Sequence, residues 1–275
     1  MSNLVARVLT ALVVVPFLLG AMFWVNPIGT FALVFLATGI GLREWVSMTM
    51  PTAPIVERTL AVALGLALSA QLYFCSTDGM GTLLTLTAAT LATFIYLLFR
   101  YGEVQTVATR LTAILSGMLY VSVLLVFLAL LKKRGPDGGF WVLLTLTLVW
   151  FSDTGAYFAG RFLGATFPGK LYEAMSPKKT RIGALGGLAG SFVATVIAKL
   201  YYLPHLTWLD CVLITVPANV LGQIGDLCES MLKRSVGVKD SGSLLPGHGG
   251  MLDRIDAVLF ATPYIFVYAH YVYRG

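Results

Sequence analysis

The chain has 275 residues, 57% of them hydrophobic and only 12% charged, about half the charged share of an ordinary soluble domain. That composition excludes a soluble globular protein and predicts an all-α, polytopic integral membrane protein. The net charge of +6 is no argument for nucleic acid as a partner, because basic residues beside membrane spans follow from topology alone.

Apolar runs broken by Gly, Pro or charge predict about nine transmembrane helices, near 5–25, 28–47, 59–75, 81–99, 111–131, 139–160, 183–203, 208–232 and 252–273. The first run has a basic start like a signal peptide, but it is long enough to span and no small-residue cleavage site follows it, so it is read as the first span. Asn26–Pro27 makes the first two spans a tight hairpin. No internal repeat or low-complexity linker divides the chain, which reads as a single integral domain over 1–275. Its N-terminal helices, 1–135, are less informative, and the region 139–273 carries the chemistry. Trp24, Trp45, Trp141 and Trp208 fall near span ends, as an interfacial aromatic belt places them. Cys75, Cys211 and Cys228 form no C-x-x-C pair and read as small buried hydrophobes.

With the N-terminus cytoplasmic, fourteen Lys and Arg fall on the cytoplasmic side, Arg110 among them, against four on the other: Lys132, Lys133, Arg134 and Arg274. This asymmetry sets the expected orientation. Both polar loops of the C-terminal half then face the cytoplasm.

Three stretches carry ionisable residues that lipid-facing helices do not need. The first is Asp153, in LVWFSDTGAYFAGR. A carboxylate at membrane depth costs about 2.5–3.5 kcal/mol on insertion scales, so it faces a polar interior or is satisfied by Ser152, Thr154 or a backbone amide. The second is Ser176-Pro-Lys-Lys-Thr180, followed by Gly183, Gly186, Gly187 and Gly190. Ser-Pro reads as the start of a helix or turn. Lys178 and Lys179 suit phosphate oxygens, although topology lysines and glycines for close helix packing explain the same residues.

The third runs from Gly222 to Asp256. On a helix, Asp226, Glu229 and Lys233 share one face, and Asp253 and Asp256 repeat the spacing of three at the start of the last span. Carboxylates brought together from two helices can hold a hard divalent cation. The glycines of Gly247-His248-Gly249-Gly250 allow a close turn with exposed amides. Interhelical salt bridges, Asp226–Lys233 or Asp253–Arg234, explain one pair of these charges but not the whole cluster.

Ser230, Lys233, Arg234, Lys239, Asp240, Gly242, Pro246, Gly247, His248, Gly249, Gly250, Asp253, Arg254 and Asp256 together resemble the signature of the phosphatidate cytidylyltransferase (CDP-diacylglycerol synthase) family. The pieces DTGAYFAGR, SPKKT and GQIGDLCES, in that order, are similar to further parts of the family pattern. The resemblance is detailed over 150–260. Before that it is loose, with Glu44–Trp45 the best match. It departs at Ile182, where the family commonly has Glu or Gln.

The resemblance implies attack of the phosphate of phosphatidic acid on the α-phosphorus of CTP, giving CDP-diacylglycerol and pyrophosphate in phospholipid biosynthesis. It implies Mg²⁺, with room for a second cation, and Asp226 and Asp253 as leading ligands with Asp256 and Glu229 as second choices. Lys178, Lys179, Lys233, Arg234, Lys239 and Arg254 are expected on phosphates, helped by Ser176, His248, Gly249 and Gly250, while Asp153 orients a base or meets the nucleotide. The expected partners are CTP, phosphatidic acid and the bilayer, with a homodimer also in view. The expected location is a bacterial inner membrane, with the active site facing the cytoplasm. The competing readings are the same chemistry on another lipid phosphate, and an ion-coupled transporter. A transporter needs ionisable positions near the midplane, whereas the charges here cluster at one face.

Overall fold

A computed structural model describes residues 15–242 and 249–273 of the protein. In a bilayer every backbone polar group must be paired internally, so apolar runs of this length resolve as helices. Residues 15–23 are helical (α1), and the earlier part of the first expected span lies outside the described residues. Among the described residues, eight further helices are long and apolar enough to cross a membrane. They are α2 (Ile28–Thr49), α3 (Ile55–Phe74), α4 (Gly79–Phe99), α5 (Val104–Lys133), α6 (Gly138–Leu163), α7 (Arg181–Tyr201), α8 (Trp208–Ser235) and α9 (Leu252–Val272). The protein is a polytopic all-α membrane protein. Its largest departure from the expected boundaries is α5, which begins seven residues before 111. Arg110, read from sequence as a loop charge, instead lies inside that helix, buried and ion-paired to Glu57 of α3 at 2.5 Å.

The chain packs as two compact units. Among its described parts, the first holds α2 to α4, α5 as far as Ala129, and the loop Asp240–Leu252. Its core includes Leu42, Leu68, Ile114, Met118 and Leu125. Trp45 donates its indole N–H to the Ala113 carbonyl at 2.8 Å. Gly117 leaves room for that ring, since a Cβ there would lie 2.5 Å from it. Just beyond Gly117, α5 widens into a π turn over Met118–Val123.

The second unit holds residues 22–27, the end of α5, α6 to α8, and α9 from Asp253. Here α6 and α7 touch backbone to backbone: a Cβ on Gly186 would stand 2.6 Å from the Gly155 carbonyl oxygen. Small residues at such a seam let two helices approach closely where lipid gives no hydrophobic drive to associate. The packing explanation of these glycines therefore holds. Ser176–Thr180, expected to open a helix or turn, is instead a strand (β2). It pairs antiparallel with Lys170–Tyr172 (β1), Lys170 opposite Thr180 and Tyr172 opposite Ser176. Pro177, with no N–H to give, is tolerated in a two-stranded ribbon where one edge needs no partner. The helix start falls one step later: Thr180 caps α7, its hydroxyl accepting from the Gly183 amide at 3.1 Å. At the other end of the unit, Thr207 and Asp210 form a reciprocal capping box on α8.

The tryptophans divide. Trp24 and Trp208 are exposed at helix ends, but Trp45 and Trp141 are core residues. Of the cysteines only Cys211 is fully buried, and Cys75 is exposed.

Candidate active site

The chemistry-bearing side chains of the second unit converge because α6 and α8 each carry a polar face. On α8, Asn219, Gln223, Asp226, Glu229 and Lys233 recur at spacings of three and four, which is one side of a helix. On α6, Ser152, Asp153 and Ala156 lie at matching depth. The β-hairpin brings in Lys178 and Lys179. A cavity of about 630 Å³ results. One end is lined by Leu148, Val149 and Ala218, the other by Tyr157, Arg161, Lys178 and Lys179, with Asp153, Gln223 and Asp226 on its walls.

The acids form two clusters. In the first, Asp153, Asp226 and Asp256 lie near enough to repel one another, with the charges of Lys179 and Arg254 offsetting Asp153. Asp226 is ion-paired to Lys179, both about a third exposed. Asp153 opens onto the cavity and neither neighbour satisfies it. Ser152 Oγ accepts from Asn219, and Thr154 Oγ1 donates to the Trp150 carbonyl. Asp256 accepts from the amide of Ala257 at 2.7 Å. In the second cluster, Lys233 donates to Glu229 at 2.8 Å and to Asp253 at 2.6 Å. All three side chains are 11% exposed or less. Glu229 also meets the Asp256 carboxyl, so Asp256 links this cluster to the first. Ion pairs between elements do exist, then, but among the described residues they are Lys179 of β2 with Asp226 of α8 and Lys233 of α8 with Asp253 of α9, rather than the two pairs the sequence suggested.

The donor chemistry suits a hard cation, since carboxylate oxygens on a cavity wall are the ligands Mg²⁺ prefers. Among the described residues, no three His, Cys, Asp or Glu side chains form a ready-made metal cage. Mg²⁺ can also bind through one or two carboxylates completed by substrate phosphates and water.

Within the first unit, the buried Glu44 is tied to the described part of the signature loop. Its carboxylate accepts from Ser241 Oγ at 3.0 Å, from the Met251 amide at 2.8 Å and from the Leu252 amide at 2.9 Å. It thereby satisfies orphan donors at the start of α9. A Cβ at Gly242 would lie 2.7 Å from one Glu44 oxygen, and a Cβ at Gly250 2.5 Å from the other. Gly249 has φ of +76°, which favours glycine. The two glycines beside the carboxylate are thus explained by its close approach.

The whole span from residue 5 to residue 272 matches the sequence model described as the cytidylyltransferase family. The chain belongs to that family. It is 33% identical to the phosphatidate cytidylyltransferase of Brucella suis over 98% of this chain and 94% of that one. It is also 33% identical to the one from Synechocystis, over 86% and 87%. A third relative, the phosphatidate cytidylyltransferase of Staphylococcus haemolyticus, is 42% identical over 127 residues, and there the match spans about half of either chain.

In this cytidylyltransferase-family chain the residues picked out by sequence are distributed as follows. Asp153, Lys178, Lys179 and Asp226 line the cavity. Glu229, Lys233 and Asp253 form the buried cluster. Arg234, exposed, donates to the Val238 carbonyl at 3.2 Å, and Lys239 and Arg254 are exposed. Ser176 is held in β2. Gly249 and Gly250 lie in the loop beside Glu44, and His248 lies outside the described residues. Sequence reasoning passed over Asn219, Gln223, Tyr157 and Arg161, and gave Glu44 no role. The signal for Asn219 and Gln223 was present: two amides four apart in an apolar helix, on the face that continues to Asp226.

Proposed function

We propose that this chain is a phosphatidate cytidylyltransferase, transferring a cytidylyl group from CTP to phosphatidic acid and releasing pyrophosphate. The observation that carries this reading is the cavity of about 630 Å³ on which Asp153, Asp226, Arg161, Lys178 and Lys179 meet an apolar end. Such a lining accepts a nucleoside triphosphate and a lipid phosphate together. Membership of the family and the names of its full-length relatives supply the reaction.

A non-bridging oxygen of the lipid phosphate attacks the α-phosphorus of CTP. The new P–O bond forms as the bond to the bridging oxygen of the β-phosphate breaks, and pyrophosphate leaves with that electron pair. The lipid phosphate is already an anion, so no side chain need act as nucleophile. The protein's work is positioning and charge neutralisation. Arg161, Lys178 and Lys179 hold phosphate oxygens at the cavity mouth. Arg234, Lys239 and Arg254, with Ser176, His248 and the amides of Gly249 and Gly250, are further phosphate donors by resemblance, whereas Lys233, which the resemblance also implies, is engaged by Glu229 and Asp253. Asp226 releases Lys179 to an arriving phosphate, freeing its own carboxylate.

A bound Mg²⁺ would supply charge neutralisation for the phosphates, and carboxylates of this site would hold it. Asp226 is the leading ligand, supported by its place on the cavity wall. The resemblance points to Asp253 as the second ligand, but we favour Asp256. Support for Asp256 in that role is its proximity to Asp226, together with the engagement of Asp253 by Lys233. The excess of basic residues on one side of the membrane supports a cytoplasmic site in a bacterial inner membrane. A lipid substrate requires that the site also open sideways to the bilayer.

The test is to incubate the purified protein in detergent with labelled CTP, Mg²⁺ and phosphatidic acid. Formation of CDP-diacylglycerol and pyrophosphate is expected. Absence of both, or faster turnover of a different lipid phosphate, would contradict the substrate assignment.

A further inference from the structure

Behind the cavity wall runs a chain of buried and half-buried hydrogen bonds whose direction is fixed at both ends. Gln223 donates from Nε2 to the Ala184 carbonyl at 3.1 Å and to Asn219 Oδ1 at 2.6 Å. Asn219 donates from Nδ2 to Ser152 Oγ at 2.7 Å and to Ser191 Oγ at 2.8 Å. Ser191 donates its proton to the Leu148 carbonyl at 3.1 Å. Backbone carbonyls only accept, so the Gln223 atom facing Ala184 must be the amide nitrogen, and the Ser191 hydroxyl must point at Leu148. Every step between those two ends is then determined, and the usual ambiguity of amide orientation is removed. Gly187 makes space for this arrangement. A Cβ there would stand 3.0 Å from Ser152 Oγ and 3.3 Å from Gln223 Nε2.

The consequence concerns the one atom left over. Both Nε2 protons of Gln223 are committed, while Oε1 accepts from no described residue and the side chain lines the cavity. The site therefore presents a locked hydrogen-bond acceptor that cannot rotate into a donor. It lies three residues, or about 4.5 Å along the helix, from Asp226, toward the apolar end formed by Leu148, Val149 and Ala218.

We propose that Gln223 Oε1 reads the nucleobase by accepting a hydrogen bond from the exocyclic 4-amine of cytosine. This inference rests on the cytidylyltransfer reading and adds the base-discriminating residue. With the triphosphate among Arg161, Lys178 and Lys179, the base extends toward the apolar end, whose side chains suit its faces. Cytosine offers an amine where uracil offers a carbonyl oxygen. A uracil would set two acceptors against each other, each stripped of water, and a site built on one hydrogen bond rejects the partner lacking it. Phosphate and acyl chains have no donor to give this oxygen.

The experiment compares four triphosphates with the purified full-length protein and phosphatidic acid: CTP, UTP, 2′-deoxy-CTP, and the 4-deamino analogue of CTP in which hydrogen replaces the amine. For the wild-type protein, kcat/KM for the 4-deamino analogue is expected about 10- to 100-fold below that for CTP, the scale of one buried hydrogen bond, and UTP lower still. Gln223→Met should lose the same factor on CTP and almost nothing on the analogue, so the ratio collapses toward one. The ratio of CTP to 2′-deoxy-CTP should not change.

The wild-type comparison stands even where the variant folds poorly, because there the atom is removed from the ligand. Stabilisation of the wild-type protein against heat by CTP but not by the analogue gives a readout independent of turnover. Equal handling of CTP and the analogue by the wild-type protein would overturn the proposal. So would a variant that keeps the discrimination, or one that instead loses preference for the 2′-hydroxyl. No turnover with any of the four overturns the function reading and this one together, whereas normal turnover without amine dependence overturns this one alone.

Discussion

The two acid clusters of the second unit hold the same residue types and differ in access. Asp153 and Asp226 line a cavity, with Asp256 set between Asp226 and Glu229, and among the described residues the ion pair Lys179–Asp226 is about a third exposed on both sides. Glu229 and Asp253 share Lys233 in a place where no side chain exceeds 11% exposure. An ion pair open to a cavity can exchange its partner for a ligand at small cost, because water and phosphate oxygens replace what is lost. A buried pair cannot, because each charge removed leaves another stranded at low dielectric. The open cluster is therefore suited to chemistry, and the closed one to fixing α8 against α9.

The strongest way to break this comparison is Asp226→Asn. It should reduce turnover by about a thousandfold or more, as loss of charge stabilisation at a reacting phosphate does, while the protein still elutes as a folded species in detergent. Substantial turnover in this variant would remove the open cluster from the chemistry. Lys233→Met should act differently. It strands two buried carboxylates and is expected to cost about 3–5 kcal/mol of stability, read as a fall in thermal midpoint. Adding Asp253→Asn to it should recover part of that loss. If Lys233→Met leaves the midpoint unchanged and abolishes only turnover, the closed cluster is catalytic instead.

Glu44→Gln sharpens the comparison from the other unit. Three donors converge on that carboxylate, and hydrogen bonds to a charged group are worth about 1.5–3 kcal/mol each. The amide nitrogen of Gln would face a donor. Turnover should fall about tenfold or more through kcat, with Glu44→Asp recovering less than half of it. An unchanged kcat would leave Glu44 without a role in the reaction. The smallest effect is expected for Arg234→Ala. Arg234 is exposed and, among the described residues, its side chain donates to the Val238 carbonyl, so the KM for CTP should rise a few-fold at low salt and less at high salt.

Much of this architecture was legible because hydropathy and backbone pairing act locally. Spans from α2 to α9 follow apolar runs whose ends a sequence marks with Gly, Pro or charge. Where charge marked an end wrongly, a distant partner was the cause: Arg110 lies inside α5 because Glu57 neutralises it from 53 residues away. Trp45 and Trp141 were misread for the same reason, since a tryptophan near a span end is interfacial only when no neighbour covers it.

At the site, helical spacing put Asp226, Glu229 and Lys233 on one face. It could not say that Lys179 would reach Asp226 or that Lys233 would turn to Asp253. Those choices depend on how helices are set against one another and on a β-hairpin that Ser176–Pro177 did not announce. Gln223 was overlooked because a lone amide is unremarkable until both of its protons are shown to be taken.

The most direct test of the division between the clusters follows the metal rather than the product. Mn²⁺ would be titrated into purified protein with CTP and followed by electron paramagnetic resonance, comparing the wild-type protein with Asp256→Asn and Asp253→Asn. The account predicts that Asp256→Asn weakens Mn²⁺ binding about tenfold or more, while Asp253→Asn changes it less than threefold and lowers the thermal midpoint instead. Loss of Mn²⁺ binding in Asp253→Asn with normal binding in Asp256→Asn would contradict it.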